Sequence, residues 1–136
     1  MKNLHKIFIL ILALSYGIIN AQLDTMNYLK QFEANKMNYI GQPLSKLLND
    51  MTYIQPKTAW STANGNKKIE TAATTFKFCD KIYSFHNAIT LLIKWQNVIP
   101  RDQTKYYEQK NGFYFTNDEK NFYGSKIVKD IMVYRY

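Results

Sequence analysis

The sequence predicts an α+β domain in which N-terminal helices pack on one antiparallel sheet of about four to five strands. Two observations carry this prediction. Between residues 24 and 51, apolar side chains recur every three or four positions, as on one face of a helix. From residue 52 onward, runs of β-branched and aromatic residues alternate with turn residues, as in a strand meander. Helices followed by strands are typical of the α+β class.

Two helices account for the first part of this pattern. Asp24 can cap a helix over residues 24–37. Pro43, after Gly41, fits the first position of a second helix, where a missing N–H has no cost. The apolar positions are Met26, Leu29 and Phe32 in the first helix and Leu44, Leu47, Leu48 and Met51 in the second.

The strand pattern begins near Tyr53 and includes Pro56, which confines its strand to a sheet edge or splits it at a bulge. Asn64-Gly65-Asn66 is a strong hairpin signal. Asp80-Lys81 marks the next reversal, and Pro100 stops the apolar strand that precedes it. Further strands are predicted at 71–78, 89–95, 113–115 and 127–136, with the 89–95 strand central and short helices or loops at 101–110 and 118–123.

The first 21 residues have the pattern of a cleavable signal peptide. Lys2 and Lys6 precede an apolar stretch of about 13 residues, whereas a spanning helix needs about 20. Ala21 is small enough to precede the cleavage site. We therefore expect a single domain over residues 22–136 in the periplasm or outside the cell, without a stable membrane anchor. The alternatives are an uncleaved anchor or an apolar first helix of the fold. Lipoprotein processing is disfavoured, because the only cysteine is Cys79.

The net charge limits the kinds of partner, and the cysteine content limits how the fold can be stabilised. Residues 22–136 contain 16 basic and 10 acidic residues, a net charge of +6. The basic residues are dispersed, with no run longer than Lys67-Lys68, unlike the clustered arms that bind nucleic acid, so we expect no nucleic-acid partner. A solvated basic surface and attraction to anionic glycans or lipid headgroups both fit this charge. One cysteine forms no internal disulfide, so the core alone must hold the fold.

Residues that could carry chemistry are few. His86 is the only histidine after residue 21, and Asp80, Asp102 and Glu108 lack metal-ligand spacing, so neither a metal nor a cofactor is expected. Nucleophile-elbow and phosphate-loop motifs are missing from the sequence, and we assign no catalytic residue. Cys79, Asp80 and His86 could supply a thiol nucleophile, an orienting acid and a base. In the simpler interpretation, Cys79 is buried beside Phe78 and His86 lies in a turn.

Aromatic residues offer a second functional pattern. Trp60 and Trp95 lie near the lysines at 57, 67, 68 and 94 in sequence, a combination that could bind an acidic glycan. Trp95 ends an apolar strand and is therefore also a candidate core residue. The pairs Tyr106-Tyr107 and Tyr134/Tyr136 can face solvent or a partner, since tyrosine is enriched where proteins meet.

Three segments resemble small exported proteins of unknown function from Bacteroidota. They are the Asn-Ala-Gln signal ending at 20–22, the stretch YIGQPLSKLLNDM at 39–51 and the stretch IVKDIMVY at 127–134. This resemblance implies location and fold, but no activity. The glycine that precedes a short helix and a β-meander is also similar to inhibitor and envelope-assembly modules, an analogy at the level of fold.

These observations leave three functional hypotheses. The favoured one is a non-enzymatic binding module that uses the open face or an edge of its sheet to hold an unknown protein or an acidic glycan. The second is a thiol-dependent hydrolase or transferase that uses Cys79 and His86. The third is electrostatic binding to an anionic glycan or membrane surface.

Overall fold

The computed structural model describes Lys6 and residues 24–136. In this part of the chain, four α-helices and one four-stranded sheet form an α+β fold, as predicted. The predicted signal peptide lies outside the described residues apart from Lys6. The helices are α1 (Thr25–Ala34), α2 (Leu44–Asp50), α3 (Arg101–Asn111) and α4 (Asn117–Gly124), and the strands are β1 (Thr58–Asn64), β2 (Lys67–Lys77), β3 (Ile89–Pro100) and β4 (Val128–Arg135).

The sheet is an antiparallel meander with the order β1-β2-β3-β4. The predicted hairpin joins β1 to β2, where Asn64 pairs with Lys67 across a turn that places Gly65 at φ +55°. Strand β3 is central, because it pairs with β2 on one side and β4 on the other. Helices α3 and α4 lie between β3 and β4 in sequence.

The helices cover one face of the sheet and bury the core against it. Strand alternation sends Phe76, Ile93 and Val133 to this face. Trp95 is also buried here, as one of its two interpretations predicted, and stacks on Tyr123 of α4 with ring centroids 5.6 Å apart. The other core residues are Leu29, Tyr39, Leu44, Leu47, Leu48, Met51, Ala59, Phe78, Leu91, Ile99, Val128 and Ile131.

The edge of β1 is covered by the chain itself. The N–H of Ala59 donates to the carbonyl of Phe113 (2.9 Å), and the N–H of Phe115 donates to the carbonyl of Lys57 (2.8 Å). Further along the strand, Ser61 donates its backbone N–H to the Glu108 carboxylate (2.7 Å). These donors and acceptors of the edge are therefore occupied.

The edge of β4 is covered in the same way. Val128 exchanges backbone hydrogen bonds with Gly41 and Gln42, and Val133 donates its N–H to the Glu33 carboxylate (3.0 Å). Part of each outer edge is therefore occupied by groups of the same chain. Sequence patterns miss this cover, because the covering groups are distant in the chain.

Several element boundaries differ from the predicted ones. Pro56 lies ahead of β1 instead of within it, and β3 runs five residues beyond Trp95 to Pro100. Residues 113–115 form an isolated bridge between Tyr114 and Thr58 in place of a strand. Helix α1 stops at Ala34 and is followed by a 3-10 turn at Lys36–Asn38. Among the described helices, none is long and apolar enough to cross a membrane.

Candidate functional site

The face of the sheet opposite the helices carries three rows of side chains that run across all four strands. The alternation that buries Phe76 and Leu91 on one side directs their sequence neighbours to the other. The rows are Thr58–Lys77–Thr90–Tyr134, Trp60–Thr75–Leu92–Met132 and Thr62–Ala73–Lys94–Asp130. This face therefore mixes aromatic, hydroxyl and lysine side chains, a composition suited to contact with another molecule.

Four aromatic side chains line a cavity on this face. We call this cavity the sheet groove. They are Trp60, Phe85, Tyr134 and Tyr136, and the groove encloses about 370 Å³. The Trp60 and Phe85 ring centroids are 5.0 Å apart, and those of Phe85 and Tyr136 are 5.8 Å apart. Phe85 is 54% exposed and Tyr136 is 59% exposed, so apolar ring surface faces solvent. Exposed aromatic surface gathered at one concave site is typical of a binding site.

Contacts outside the groove fix its first wall. The indole N–H of Trp60 donates to the Thr58 hydroxyl (3.0 Å). The Trp60 ring also stacks on Phe113, with centroids 4.1 Å apart and planes 18° from parallel. Phe113 follows α3 and contacts β1 twice, through its carbonyl at Ala59 and through its ring at Trp60. The same residue therefore supports both the edge of β1 and the groove. Trp60 is therefore held in place by contacts within the protein.

The remaining walls come from a loop and from the chain end. Phe85 follows a 3-10 turn at Lys81–Tyr83, which begins where the Asp80 carboxylate accepts from the Lys81 N–H (2.9 Å). Tyr136 is fixed by its backbone N–H, which donates to the carbonyl of Ala88 (2.9 Å). The sheet thus carries the groove, while a less regular segment closes one side of it.

Lys77 lies at the bottom of the sheet groove and is only 2% exposed. Its Nζ donates to the carbonyl of Ser84 and lies 4.2 Å from the Phe85 ring centroid and 4.4 Å from that of Tyr136. Ring faces attract a cation through their quadrupole. Burial nevertheless penalises the ammonium and holds the pKa of Lys77 below its usual value.

No carboxylate forms an ion pair with Lys77 among the residues that the structure describes. Asp130, on the same face, is taken by Lys36, with Nζ and Oδ1 2.7 Å apart. Lys77 is therefore a buried, positively charged group of the groove without an ion-pair partner in the described structure.

Cys79 and His86 line a different cavity, of about 210 Å³, together with Tyr83 and Arg135. Cys79 is half-buried and His86 is exposed. In the described structure, no hydrogen bond joins these two side chains, and Asp80 is engaged by Lys81 and by the Tyr114 hydroxyl (3.3 Å). The cavity brings thiol and imidazole to one place but supplies no orienting acid, so thiol chemistry stays a prediction.

Other residues singled out in the sequence lie elsewhere. Lys67 is near Glu70, with Nζ and Oε1 3.8 Å apart, and Tyr106 lies in α3 away from the groove. Lys94 is exposed on the groove face, one row beyond Leu92. Within residues 24–136 and Lys6, no group of three or more histidine, cysteine, aspartate or glutamate side chains could hold a metal ion.

Sequence reasoning found Trp60 and Tyr136 but missed Lys77 and Phe85. Strand alternation contained a signal for Lys77, since it follows the core residue Phe76 and must point to the opposite face. No local pattern marks Phe85, because its position depends on the loop that carries it. Comparison of the chain with protein-family models, with curated proteins and with solved structures gives no match.

Proposed function

We propose that this protein is a non-enzymatic, exported binding module that holds its partner in the sheet groove. The observation that carries the proposal is the gathering of Trp60, Phe85 and Tyr136 on the sheet face that the helices leave uncovered. Surfaces built for binding concentrate partly exposed aromatic side chains, since these combine apolar area with few rotatable bonds.

The cover on both edges supports the face as the binding surface. Strand addition requires free N–H and C=O groups along an edge. Glu108 occupies such a donor on β1, and Glu33 occupies one on β4. The sequence suggested both the face and an edge, and these occupied edge groups favour the face.

The fixed orientation of Trp60 supports ligand binding. Trp60 is held by Thr58 and Phe113, so its ring is oriented in advance and a ligand loses less entropy on binding. The groove is also lined by serine and threonine side chains and one buried ammonium, and in the described structure no hydrogen bond joins Lys77 to one of these hydroxyls. A prearranged apolar wall with few polar groups is the usual composition of a ligand site.

The test is retention of components from the producing cell's envelope and culture fluid on the immobilised protein. We expect a component that is retained by the wild type and lost with both Trp60→Ala and Tyr136→Ala. Tyr106→Ala is the matched control, because Tyr106 is an exposed tyrosine of α3 outside the groove. Equal retention by all three variants would exclude the groove as the binding site.

A further inference from the structure

The ammonium of Lys77 is incompletely compensated. It can donate three hydrogen bonds, and the described structure gives it one, to the Ser84 carbonyl. The rings of Phe85 and Tyr136 add partial negative charge at 4.2 and 4.4 Å, but no anion. A buried cation without a counter-charge favours binding of an anion, because the ion pair compensates for the solvation free energy that the ammonium lost on burial.

The surroundings of Lys77 indicate the shape of that anionic ligand. Trp60, which stacks on Phe113 through one face, lines the groove together with Tyr136, Thr62 and Thr75. A ligand that fits must present apolar surface to the rings and polar groups to the hydroxyls. A sugar ring has both, with C–H bonds on its faces and hydroxyls around its rim.

The size of the groove favours a small ligand over a folded protein. Its volume of about 370 Å³ lies at the lower end of the range for small-molecule sites, about 300–1,000 Å³. A stable protein interface needs about 800 Å² on each partner, far more than this concave site offers. The groove therefore suits one or two units of a saccharide chain.

Resting on the proposed function, we propose that the sheet groove binds an acidic saccharide, with the carboxylate of a uronic-acid unit on the Lys77 ammonium and the sugar ring against Trp60. Phe85 and Tyr136 shield Nζ in the free protein. The exposed Tyr136 ring moves aside when the carboxylate takes its place beside the ammonium. The ammonium thereby exchanges its contact with the Tyr136 ring for a charge-assisted hydrogen bond to the carboxylate, which is the stronger interaction.

Lys77 and Lys94, the two lysines in the rows of this face, should contribute differently to saccharide binding. Lys94 is exposed and lies in the row of Asp130, so it contributes general positive potential and no desolvated contact. If dispersed charge alone attracted the glycan, Lys77 and Lys94 would contribute equally. If the groove recognises the carboxylate, Lys77 dominates.

The experiment is calorimetric titration of the purified protein with a galacturonic acid trimer and with the same trimer as its methyl ester. We expect the acid to bind and the ester, which has no charge, to bind at least about tenfold more weakly. Lys77→Met keeps the apolar stem and should lose the same factor, whereas Lys94→Met, with the same change in net charge, should retain the affinity. The comparison of acid with ester uses the wild-type protein, so it stands even if Lys77→Met folds poorly.

Equal binding of acid and ester, or equal losses in Lys77→Met and Lys94→Met, would overturn the proposal. Preferential binding of a sulfated galactan trisaccharide, which has no carboxylate, over the galacturonic acid trimer would show that the groove recognises sulfate, and would also overturn the proposal. If neither trimer binds while an envelope component is still retained through Trp60, the saccharide inference fails and the binding module stands. If Trp60→Ala affects no retained component, both fail.

Discussion

The Glu33 carboxylate in α1 accepts a 3.0 Å hydrogen bond from the backbone N–H of Val133, 100 positions later in the chain. Glu108 in α3 has the same role at the opposite edge, where it accepts from both the backbone N–H and the hydroxyl of Ser61 at 2.7 and 2.6 Å. A glutamate from a flanking helix thus occupies a backbone donor on each outer strand. Unpaired donors of this kind are what make edge strands prone to association.

Removing the Glu33 carboxylate should weaken the fold. Glu33→Ala leaves the Val133 N–H without its partner, at a cost of about 1 kcal/mol in the free energy of unfolding, since this edge is only partly buried. Glu33→Gln is the matched control, because its amide oxygen can still accept the bond and should restore part of the loss. Urea denaturation measures both, and equal stability of Glu33→Ala and wild type would contradict the role given to the carboxylate.

The same contact makes stability depend on pH. Burial raises the pKa of Glu33, but hydrogen bonds from Lys30 and the Val133 N–H outweigh burial and hold the pKa below its ordinary value of 4.5. The carboxylate therefore contributes its full stabilisation above pH 4.5 and loses it as the pH falls through the lower folded value. We expect the stability difference between wild type and Glu33→Gln to shrink between pH 6 and pH 3, as followed by urea denaturation. A constant difference would show that Glu33 does not titrate with folding.

The buried hydroxyls of Thr71 and Thr104, 2.9 Å apart, join β2 to α3. Thr104 also donates to the Arg101 carbonyl (3.1 Å). Thr104→Val therefore leaves the Thr71 hydroxyl buried and unpaired, at a cost of about 1–3 kcal/mol. In Thr71→Val/Thr104→Val no hydroxyl remains to be satisfied, so the double variant should lose less than the sum of the single variants. Strict additivity in a double-mutant cycle of denaturation free energies would argue against a direct bond.

Two glycines should respond to alanine in opposite directions. Gly112 ends α3 at φ +59°, where an alanine side chain is strained by about 1–2 kcal/mol. Gly124 lies in α4, and an added Cβ there would meet the Ser45 Cβ at an ordinary contact distance of 3.6 Å. Gly124→Ala should therefore stabilise the protein by about 0.5–1 kcal/mol. Thermal unfolding of the two variants distinguishes them by sign.

Local patterns made most of the fold predictable. The spacing of Leu44, Leu47 and Leu48 predicted α2, and Asn64-Gly65 predicted the β1–β2 turn, because both signals depend on near neighbours in sequence. The ends of strands were less predictable. Residues 113–115 have strand composition but reach β1 only as an isolated bridge, because α3 brings them to that edge at a single point.

The candidate site was predictable only in part. Trp60 and Trp95 look alike in sequence, yet Trp95 shares the core face with Ile93 while Trp60 lies on the opposite side of the sheet. The environment of Lys77 could not be predicted, since it joins a mid-strand lysine to Phe85 of a loop and Tyr136 of the chain end. Such a cluster exists only after the strands have taken their register.

The two faces of the sheet carry different kinds of side chain. Phe76 and Ile93 lie in the core on one side of the sheet, whereas their neighbours Lys77 and Leu92 point to the opposite side. Substitutions at exposed groove positions such as Phe85 and Tyr136 therefore change the outer surface of the sheet without opening voids among the core side chains. The four-strand meander is in this sense an adaptable scaffold, whose outward-facing residues can vary in evolution while the fold persists.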